Sequence, residues 1–253
     1  MCFDHDSRPP VAPMAGGAGD SSDIVLTAAD GARFAAFAAR ASQPSGAAVV
    51  LLPDVRGLHP YYQELALRFA EAGLDAVAID YFGRTAGLCD TTGTRAEDFE
   101  FRPHVEATTD AGIDADLTAA IAELRRRTRP DLPVVTVGFC FGGSHSWRQS
   151  GGDLDVAACA GFYGRPVMVG GAASRASRPT LMLIAGADVA TPVEDQLALA
   201  ETMRAAGADV TTAVYDGAPH SFFDRAFGEW TEACDDAWRH LLALTDRVSL
   251  PAS

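Results

Sequence analysis

A single cysteine lies in a run of glycines directly after an apolar segment, in the stretch VGFCFGGSHSW (137–147). Gly138 and Gly142 flank Cys140 with the spacing of the nucleophile elbow G-x-S-x-G, with cysteine in place of serine. A thiolate on such a strand-to-helix turn would lie near the positive end of the helix, and the Phe141 N–H could stabilise an oxyanion. The motif alone leaves one alternative open, an ordinary glycine-rich turn around a buried cysteine.

Two further residues supply what a nucleophile needs, a base and an acid that orients the base. Asp188 follows the apolar segment Thr180–Ala185, and His220 follows the segment Val210–Tyr215. The chain order Cys140, Asp188, His220 is the nucleophile–acid–histidine order of α/β-hydrolases, in which each residue sits on the loop after its own strand. The pattern therefore predicts a catalytic triad.

The segments that must position these residues alternate between strands and helices. Apolar runs predict buried strands, and apolar residues at helical spacing predict helices. The predicted strands include Ala48–Leu52, Ala76–Ile79, Val134–Val137, Val156–Phe162, Thr180–Ala185 and Val210–Tyr215; the predicted helices include Tyr61–Ala72, Ala111–Arg127 and Glu229–Leu244. This alternation predicts an α/β-hydrolase fold with a mostly parallel central sheet and helices on both faces. Ligands bind beyond the carboxyl ends of the strands in such sheets, which is where the predicted triad lies.

The length of 253 residues favours one domain. Residues 1–22 are rich in Pro, Gly and Ser and lack periodicity, so we expect an N-terminal arm that is partly disordered. Residues 23–248 are predicted to form the single α/β-hydrolase domain. The long polar stretch 85–110 is predicted to be a lid or a pocket wall.

Composition excludes several classes of function. The formal net charge of −14 argues against nucleic acid or an anionic membrane as a partner, and no apolar run is long enough for a membrane span. The N-terminus does not have the pattern of a secretory signal. The five cysteines are scattered without CxxC spacing, which favours free thiols and a cytoplasmic protein. No cofactor and no metal site are expected.

The sequence resembles the dienelactone hydrolase (carboxymethylenebutenolidase-like) family. The resemblance runs from about Ile24 to Leu244 and rests on LLPDVRGLHPYYQELALRFAEAG, DYFGRTAG, VGFCFGG, IAGADVATP and YDGAPHSFFDR. It implies that Cys140 is the nucleophile, His220 the base and Asp188 the orienting acid. It also implies that the N–H groups of Val55 and Phe141 form the oxyanion hole.

The resemblance further implies residues that activate the thiol and bind the substrate. A family carboxylate next to the oxyanion donor, usually a glutamate, helps to activate the thiol, and Asp54 occupies that position here. Arginines of the family bind a substrate carboxylate. Arg84 matches one of them, whereas Asp224 occupies the position of the other, and Arg225 follows it. The candidate substrate-binding residues are Arg84, Arg56, Arg225 and Ser221.

The function predicted from these residues is hydrolysis of a lactone or an activated carboxylic ester, anionic substrates included, through a thioester on Cys140. An alternative is an acyl transferase or a cyclase that uses the same triad and delivers the acyl group to another acceptor. A third hypothesis, a ligand-binding protein without catalysis on the same fold, is disfavoured by the complete triad. The partner is expected to be a small molecule, and the protein a monomer or a small homo-oligomer.

Overall fold

Residues 6–89, 94–96 and 98–250 are described by the structure, a computed structural model. They form two compact units. The N-terminal unit comprises residues 13–134 with 249–250, and the C-terminal unit comprises residues 135–248 with 6–12. The first five residues of the predicted arm lie outside the described residues, as do residues 90–93 and 97 of the predicted lid.

The N-terminal unit contains four strands in the order β1-β2-β4-β3. Their bounds are Ala18–Thr27 (β1), Arg33–Ala41 (β2), Ala48–Leu52 (β3) and Asp75–Ile79 (β4). β1, β2 and β4 pair antiparallel, whereas β3 and β4 are parallel. β1 overlaps the predicted arm at residues 18–22. Ser and Asp do not favour strands, so backbone pairing with β2 decides this extension.

The described residues of the N-terminal unit form four helices: α1 (Pro60–Glu71), α2 (Gly83–Ala86), α3 (Phe101–Ala107) and α4 (Asp110–Arg127). The His59 side chain caps α1 by accepting the Tyr61 N–H, and the Thr109 side chain caps α4 by accepting the Gly112 N–H. The sequence pattern predicted α1 and α4 but not α2 or α3. Neither of the short helices buries a residue, so neither carries the apolar periodicity that would have revealed it.

The C-terminal unit contains four parallel strands in the order β5-β6-β7-β8. Their bounds are Val134–Phe139 (β5), Ala158–Phe162 (β6), Thr180–Ala185 (β7) and Val210–Tyr215 (β8), and helices α5 (Phe141–Arg148), α6 (Val193–Ala206) and α7 (Thr231–Val248) alternate with them. Strands β5, β6 and β7 are buried along their whole length, as their continuous apolar runs predicted. Because these strands are parallel, their carboxyl ends lie at one edge of the sheet.

The pairings confirm a mostly parallel α/β architecture. Among the strand pairs described within the two units, β3–β4, β5–β6, β6–β7 and β7–β8 are parallel, and only the two pairs made by β2 are antiparallel. Antiparallel hairpins at the start of an otherwise parallel sheet are common in α/β folds.

Candidate active site

Cys140 lies between the last residue of β5 and the first residue of α5, and its backbone has a positive φ of 52°, with ψ −109°. Such a conformation in a residue other than glycine costs on the order of 1–3 kcal/mol and persists only where the surroundings impose it. Here the Cys140 N–H donates to the Phe162 carbonyl at 3.0 Å, and the Ser144 N–H donates to the Cys140 carbonyl at 3.1 Å. Cys140 is partly exposed.

The glycines around Cys140 are required by the packing of the turn. A Cβ atom on Gly138 would lie 2.0 Å from the Gly142 carbonyl oxygen, and one on Gly143 would lie 2.5 Å from the Phe162 carbonyl oxygen. Both obstacles are backbone atoms, which cannot swing away as a flexible side chain can. The glycine spacing in the sequence therefore reflects the close approach of α5 to β5 and β6.

Asp188 and His220 form a buried hydrogen-bonded pair. His220 Nδ1 lies 2.7 Å from Asp188 Oδ2, and the Asp188 side chain is fully buried. The other carboxylate oxygen accepts the N–H groups of Ala190 at 2.8 Å and Thr191 at 3.1 Å. A carboxylate oxygen can only accept hydrogen bonds, so His220 Nδ1 is the donor in its bond to Asp188. In the neutral imidazole the lone pair then lies on Nε2. That atom is buried and has no hydrogen-bond partner within the described ranges.

The predicted triad residues all belong to the C-terminal unit and follow its strands. Cys140 follows β5, Asp188 follows β7 and His220 follows β8. Because these strands are parallel, the three residues lie at the same edge of the sheet. The Tyr163 ring, at the end of β6, packs against the His220 imidazole with their centroids 4.7 Å apart. Sequence reasoning missed Tyr163, whose position directly after a buried strand was the only available signal.

The rest of the stretch 137–147 fixes the helix that follows Cys140. The Ser144 hydroxyl donates to the Cys140 carbonyl at 3.1 Å and accepts the Arg165 N–H at 2.7 Å. Trp147 is fully buried, and its Nε1–H donates to the Leu181 carbonyl at 3.1 Å. These two side chains therefore tie α5 to the loop after β6 and to β7. Phe141 is the first residue of α5, and its ring packs edge-on against the ring of His145.

Val55, which the family resemblance implies as the second oxyanion donor, lies in the N-terminal unit, in a tight turn after β3. The Gly57 N–H donates to the Asp54 carbonyl at 3.1 Å, which places Val55 at the second position of the turn. Both oxygens of the Asp54 carboxylate accept hydrogen bonds from the Arg56 guanidinium, at 2.8–3.1 Å. The sequence pointed to Asp54 and Arg56 separately and did not predict that they form a pair.

Arg84, a candidate for binding a substrate carboxylate, is paired with two carboxylates of the N-terminal unit. Its guanidinium lies 2.5 Å from Asp30 and 2.9 Å from Asp116. The hydrogen bond to Asp30 is the largest influence on Arg84 and raises its pKa above the ordinary value. Burial is the largest influence on Asp116 and raises the pKa of that carboxyl group to about 6, against the opposing effect of Arg84.

The loop after His220 holds the remaining candidates. Ser221 has a left-handed backbone, with φ 65°. Arg225 is exposed, and its N–H donates to the Arg8 carbonyl at 2.9 Å. Asp224, at the position of the family's second arginine, is buried and accepts the N–H groups of Arg8 at 3.2 Å and Ala226 at 2.9 Å. Asp224 therefore anchors this loop to residue 8 of the predicted arm.

No group of three or more His, Cys, Asp or Glu side chains suited to a metal ion occurs in residues 6–89, 94–96 and 98–250. Over the same ranges, none of the helices combines the length and the apolar character needed to span a membrane.

A family model and curated relatives connect this chain to one family. A model of the dienelactone hydrolase family matches residues 34–249. The chain is 28% identical over 204 residues to a protein of Methylorubrum extorquens named "Putative carboxymethylenebutenolidase", and the match covers 76% of this chain and 69% of that one. It is 27% identical over 150 residues to carboxymethylenebutenolidase 1 of Cupriavidus pinatubonensis, over 57% of this chain and 62% of that one.

The structure is also similar to solved structures. A protein of Klebsiella pneumoniae described as a "Putative Dienelactone Hydrolase" superposes with a TM-score of 0.73 at 23% identity, over 90% of this chain and 99% of that one. This likeness shows the fold, and it confirms the α/β-hydrolase architecture expected from the sequence.

Proposed function

Because the chain belongs to the dienelactone hydrolase family and is a hydrolase of that family, we propose that it cleaves a lactone or an activated carboxylic ester through a thioester on Cys140. One observation carries the proposal. A cysteine with a strained backbone of positive φ follows β5, and a buried Asp–His pair follows β7 and β8 at the same sheet edge. Strain of this kind concentrates at functional sites.

His220 is the base in this proposal. Asp188 accepts the Nδ1–H and is itself held by two backbone N–H groups, so the imidazole is fixed in the tautomer whose Nε2 can accept a proton. Nε2 takes the proton of the Cys140 thiol. The resulting thiolate attacks the carbonyl carbon of the substrate, and the electron pair of the C=O bond moves to oxygen.

The negative oxygen needs hydrogen-bond donors in place at the moment it forms. The N–H of Phe141 at the start of α5 is the donor that the C-terminal unit supplies in this proposal. Losing one such donor typically costs about 10²–10³ in rate. The macrodipole of α5 adds a favourable field near the sulfur and the oxyanion.

Collapse of the tetrahedral intermediate breaks the bond between the carbonyl carbon and the ester or lactone oxygen. His220 Nε2–H protonates the departing oxygen, and the acyl group remains on Cys140 as a thioester. Water then attacks the thioester carbonyl while His220 Nε2 takes a proton from that water. The C–S bond breaks, the carboxylic acid leaves, and His220 returns the proton to the Cys140 thiolate. Esters and lactones suit this chemistry because their oxygen leaving groups depart more easily than amines.

The contacts of the arginines favour a neutral substrate over an anionic one. Arg84 is paired with Asp30 and Asp116, Arg56 is paired with Asp54, and Asp224 replaces the second arginine of the family. Matched lactones with a free carboxylate or its methyl ester distinguish the two classes. We expect the lactone that carries the methyl ester to be opened with the higher kcat/KM. Faster opening of the lactone that carries the free carboxylate, if it depends on Arg84, would contradict the preference for a neutral substrate.

Replacement of the nucleophile and the base tests the proposal. Cys140→Ala and His220→Ala should each lower kcat/KM for p-nitrophenyl acetate by about 10³-fold or more, since loss of a triad member typically costs that much. Cys89→Ala, in the other unit, is the matched control and should retain activity. Full activity in either triad variant would refute the proposed mechanism.

A further inference from the structure

Residues 6–12, the described part of the N-terminal arm that belongs to the C-terminal unit, contact the loop that follows His220. The Arg225 N–H donates to the Arg8 carbonyl at 2.9 Å, and the Arg8 N–H donates to the Asp224 carboxylate at 3.2 Å. Ser7 and Pro9, on either side of Arg8, are buried. The backbone of residue 8 is therefore bonded to the loop through both its N–H and its carbonyl.

Asp224 joins the arm to the loop. Its side chain is buried, and Oδ1 accepts both the Arg8 N–H and the Ala226 N–H, the latter at 2.9 Å. The Asp224 N–H donates to the Phe222 carbonyl at 2.8 Å, and the Asp224 carbonyl accepts the Phe227 N–H at 3.0 Å. A buried N–H that loses its acceptor costs about 1–3 kcal/mol. The conformation of the loop therefore depends on this one carboxylate oxygen.

His220 lies in the turn that leads into this loop. The Phe222 N–H donates to the Pro219 carbonyl at 3.2 Å, so His220 and Ser221 occupy the two central positions of a turn formed by residues 219–222, the histidine turn. Ser221 has a φ of 65°. A left-handed conformation in a residue other than glycine persists only where the surrounding structure imposes it. The histidine turn therefore needs support on both of its sides.

The two sides of the histidine turn are held by different contacts. Upstream, the Ala218 carbonyl accepts the Ala187 N–H at 2.8 Å, which ties the turn to the loop after β7. Downstream, Phe222 and Phe223 are buried and lead directly to Asp224, which is bonded to the arm. The arm therefore supports the downstream side of the turn, as the loop after β7 supports its upstream side.

We propose that the arm is a strap that positions the catalytic base, with Arg8 and Asp224 as positioning residues for His220. This inference rests on the proposed thioester mechanism. The histidine turn carries the imidazole, so a shift of its downstream side changes the distance and direction from Nε2 to the Cys140 thiol. A misplacement of about 1 Å at a reacting group can cost on the order of 10² in rate.

Two substitutions of Asp224 test the strap. Asn keeps an oxygen that can accept both N–H groups, whereas Leu has a similar shape and no acceptor. We expect Asp224→Leu to lower kcat for p-nitrophenyl acetate by about 10- to 100-fold with KM little changed, and Asp224→Asn to stay close to wild type. Asp153→Leu, at an exposed aspartate of the same unit, is the control and should leave kcat unchanged. An equal loss in Asp224→Asn and Asp224→Leu would show that the charge matters rather than the acceptor, and the strap would be wrong.

Arg8→Pro tests the same hydrogen bond from the other side. Proline removes the N–H that Asp224 accepts, in a stretch that already continues with Pro9 and Pro10. We expect kcat to fall, and the double variant Arg8→Pro/Asp224→Leu to lose no more than Asp224→Leu alone, because both changes break one bond. Effects that multiply would overturn the proposal. Since Arg8 lies outside the described strands and helices, Arg8→Pro also serves if Asp224→Leu does not fold, and wild-type kcat in Arg8→Pro would then refute the strap.

The pH profile of Cys140 alkylation by iodoacetamide separates positioning from a purely structural role. Loss of folded protein lowers the amount of reactive thiol without moving the profile, whereas a displaced His220 stabilises the thiolate less and shifts the profile to higher pH. We expect this shift in Asp224→Leu and Arg8→Pro. A fall in kcat with an unshifted profile would assign the loss to folding and would also overturn the proposal.

Failure of the thioester mechanism itself would look different. In that case Cys140→Ala would remain active. Failure of the strap alone leaves Cys140→Ala inactive, while Asp224→Leu and Arg8→Pro keep the kcat of the wild type.

Discussion

Replacement of Asp188 by asparagine is the sharpest perturbation of the proposed site, because the structure specifies what each side-chain atom must do. One carboxylate oxygen accepts two backbone N–H groups, at 2.8 Å and 3.1 Å, and the other accepts His220 Nδ1–H at 2.7 Å. An amide has one acceptor oxygen and one donor nitrogen. In Asp188→Asn the amide oxygen would face the two backbone donors, so the NH₂ group would face His220.

The expected magnitude follows from the histidine tautomer. An NH₂ group facing Nδ1 forces that nitrogen to accept, and the proton moves to Nε2, which can then no longer take the proton of Cys140. The same aspartate-to-asparagine change in the triad of a serine protease lowers kcat about 10⁴-fold. We expect a loss of about 10³–10⁴ in kcat/KM here, equivalent to roughly 4–5.5 kcal/mol.

The assay is hydrolysis of p-nitrophenyl acetate together with the pH dependence of Cys140 alkylation. Asp188→Asn should slow both reactions, since both need His220 to take the thiol proton. Asp216→Asn, an exposed aspartate on the loop after β8, is the control and should leave both reactions unchanged. A loss of less than about 10-fold in kcat/KM for correctly folded Asp188→Asn would refute the role of the Asp188–His220 pair.

Three further predictions test other parts of the structure. Gly143→Ala should lower Tm strongly, because the new Cβ would lie 2.5 Å from the Phe162 carbonyl oxygen. In the control Gly228→Ala the new Cβ meets no atom within 4 Å, so Tm should stay unchanged. Equal Tm values for the two variants would contradict the packing argument. Burial raises the pKa of Asp116 to about 6, so the folded state binds more protons than the unfolded state from about pH 4 to 6. The wild-type Tm should therefore fall relative to that of Asp116→Asn as pH rises through this range, and a constant difference would argue against the shift. At neutral pH, iodoacetamide should alkylate Cys140 first, as read by peptide mass spectrometry, and earlier modification of another described cysteine would count against an activated thiol. Burial raises the thiol pKa to about 12 in three other cysteines, Cys89, Cys159 and Cys234.

The core of the fold could be predicted from the sequence because its signals are local. Buried parallel strands are continuous apolar runs, and β3 and β7 occupy the segments that these runs predicted. β6 begins two residues later than expected, and β5 extends two residues further toward Cys140. Ends of elements depend on pairing and capping, which apolar periodicity does not encode.

The candidate site was proposed from local signals of the same kind. Glycine spacing around Cys140, and the placement of Asp188 and His220 directly after strands, are features of short segments, so the sequence alone identified the three residues as candidates. The hydrogen bond between Asp188 and His220 joins residues 32 positions apart, and only the pairing of β7 with β8 brings their loops together.

The contacts of the arginines could be read only from the tertiary structure. Arg84 looked available for a substrate carboxylate, but its partners Asp30 and Asp116 lie 54 and 32 residues away in the chain. Arg56 looked like an anion-binding group, yet the turn folds it back onto Asp54. A charged side chain has no fixed partner in the sequence, since its free energy depends on which opposite charge packing brings within reach and on how deeply both are buried.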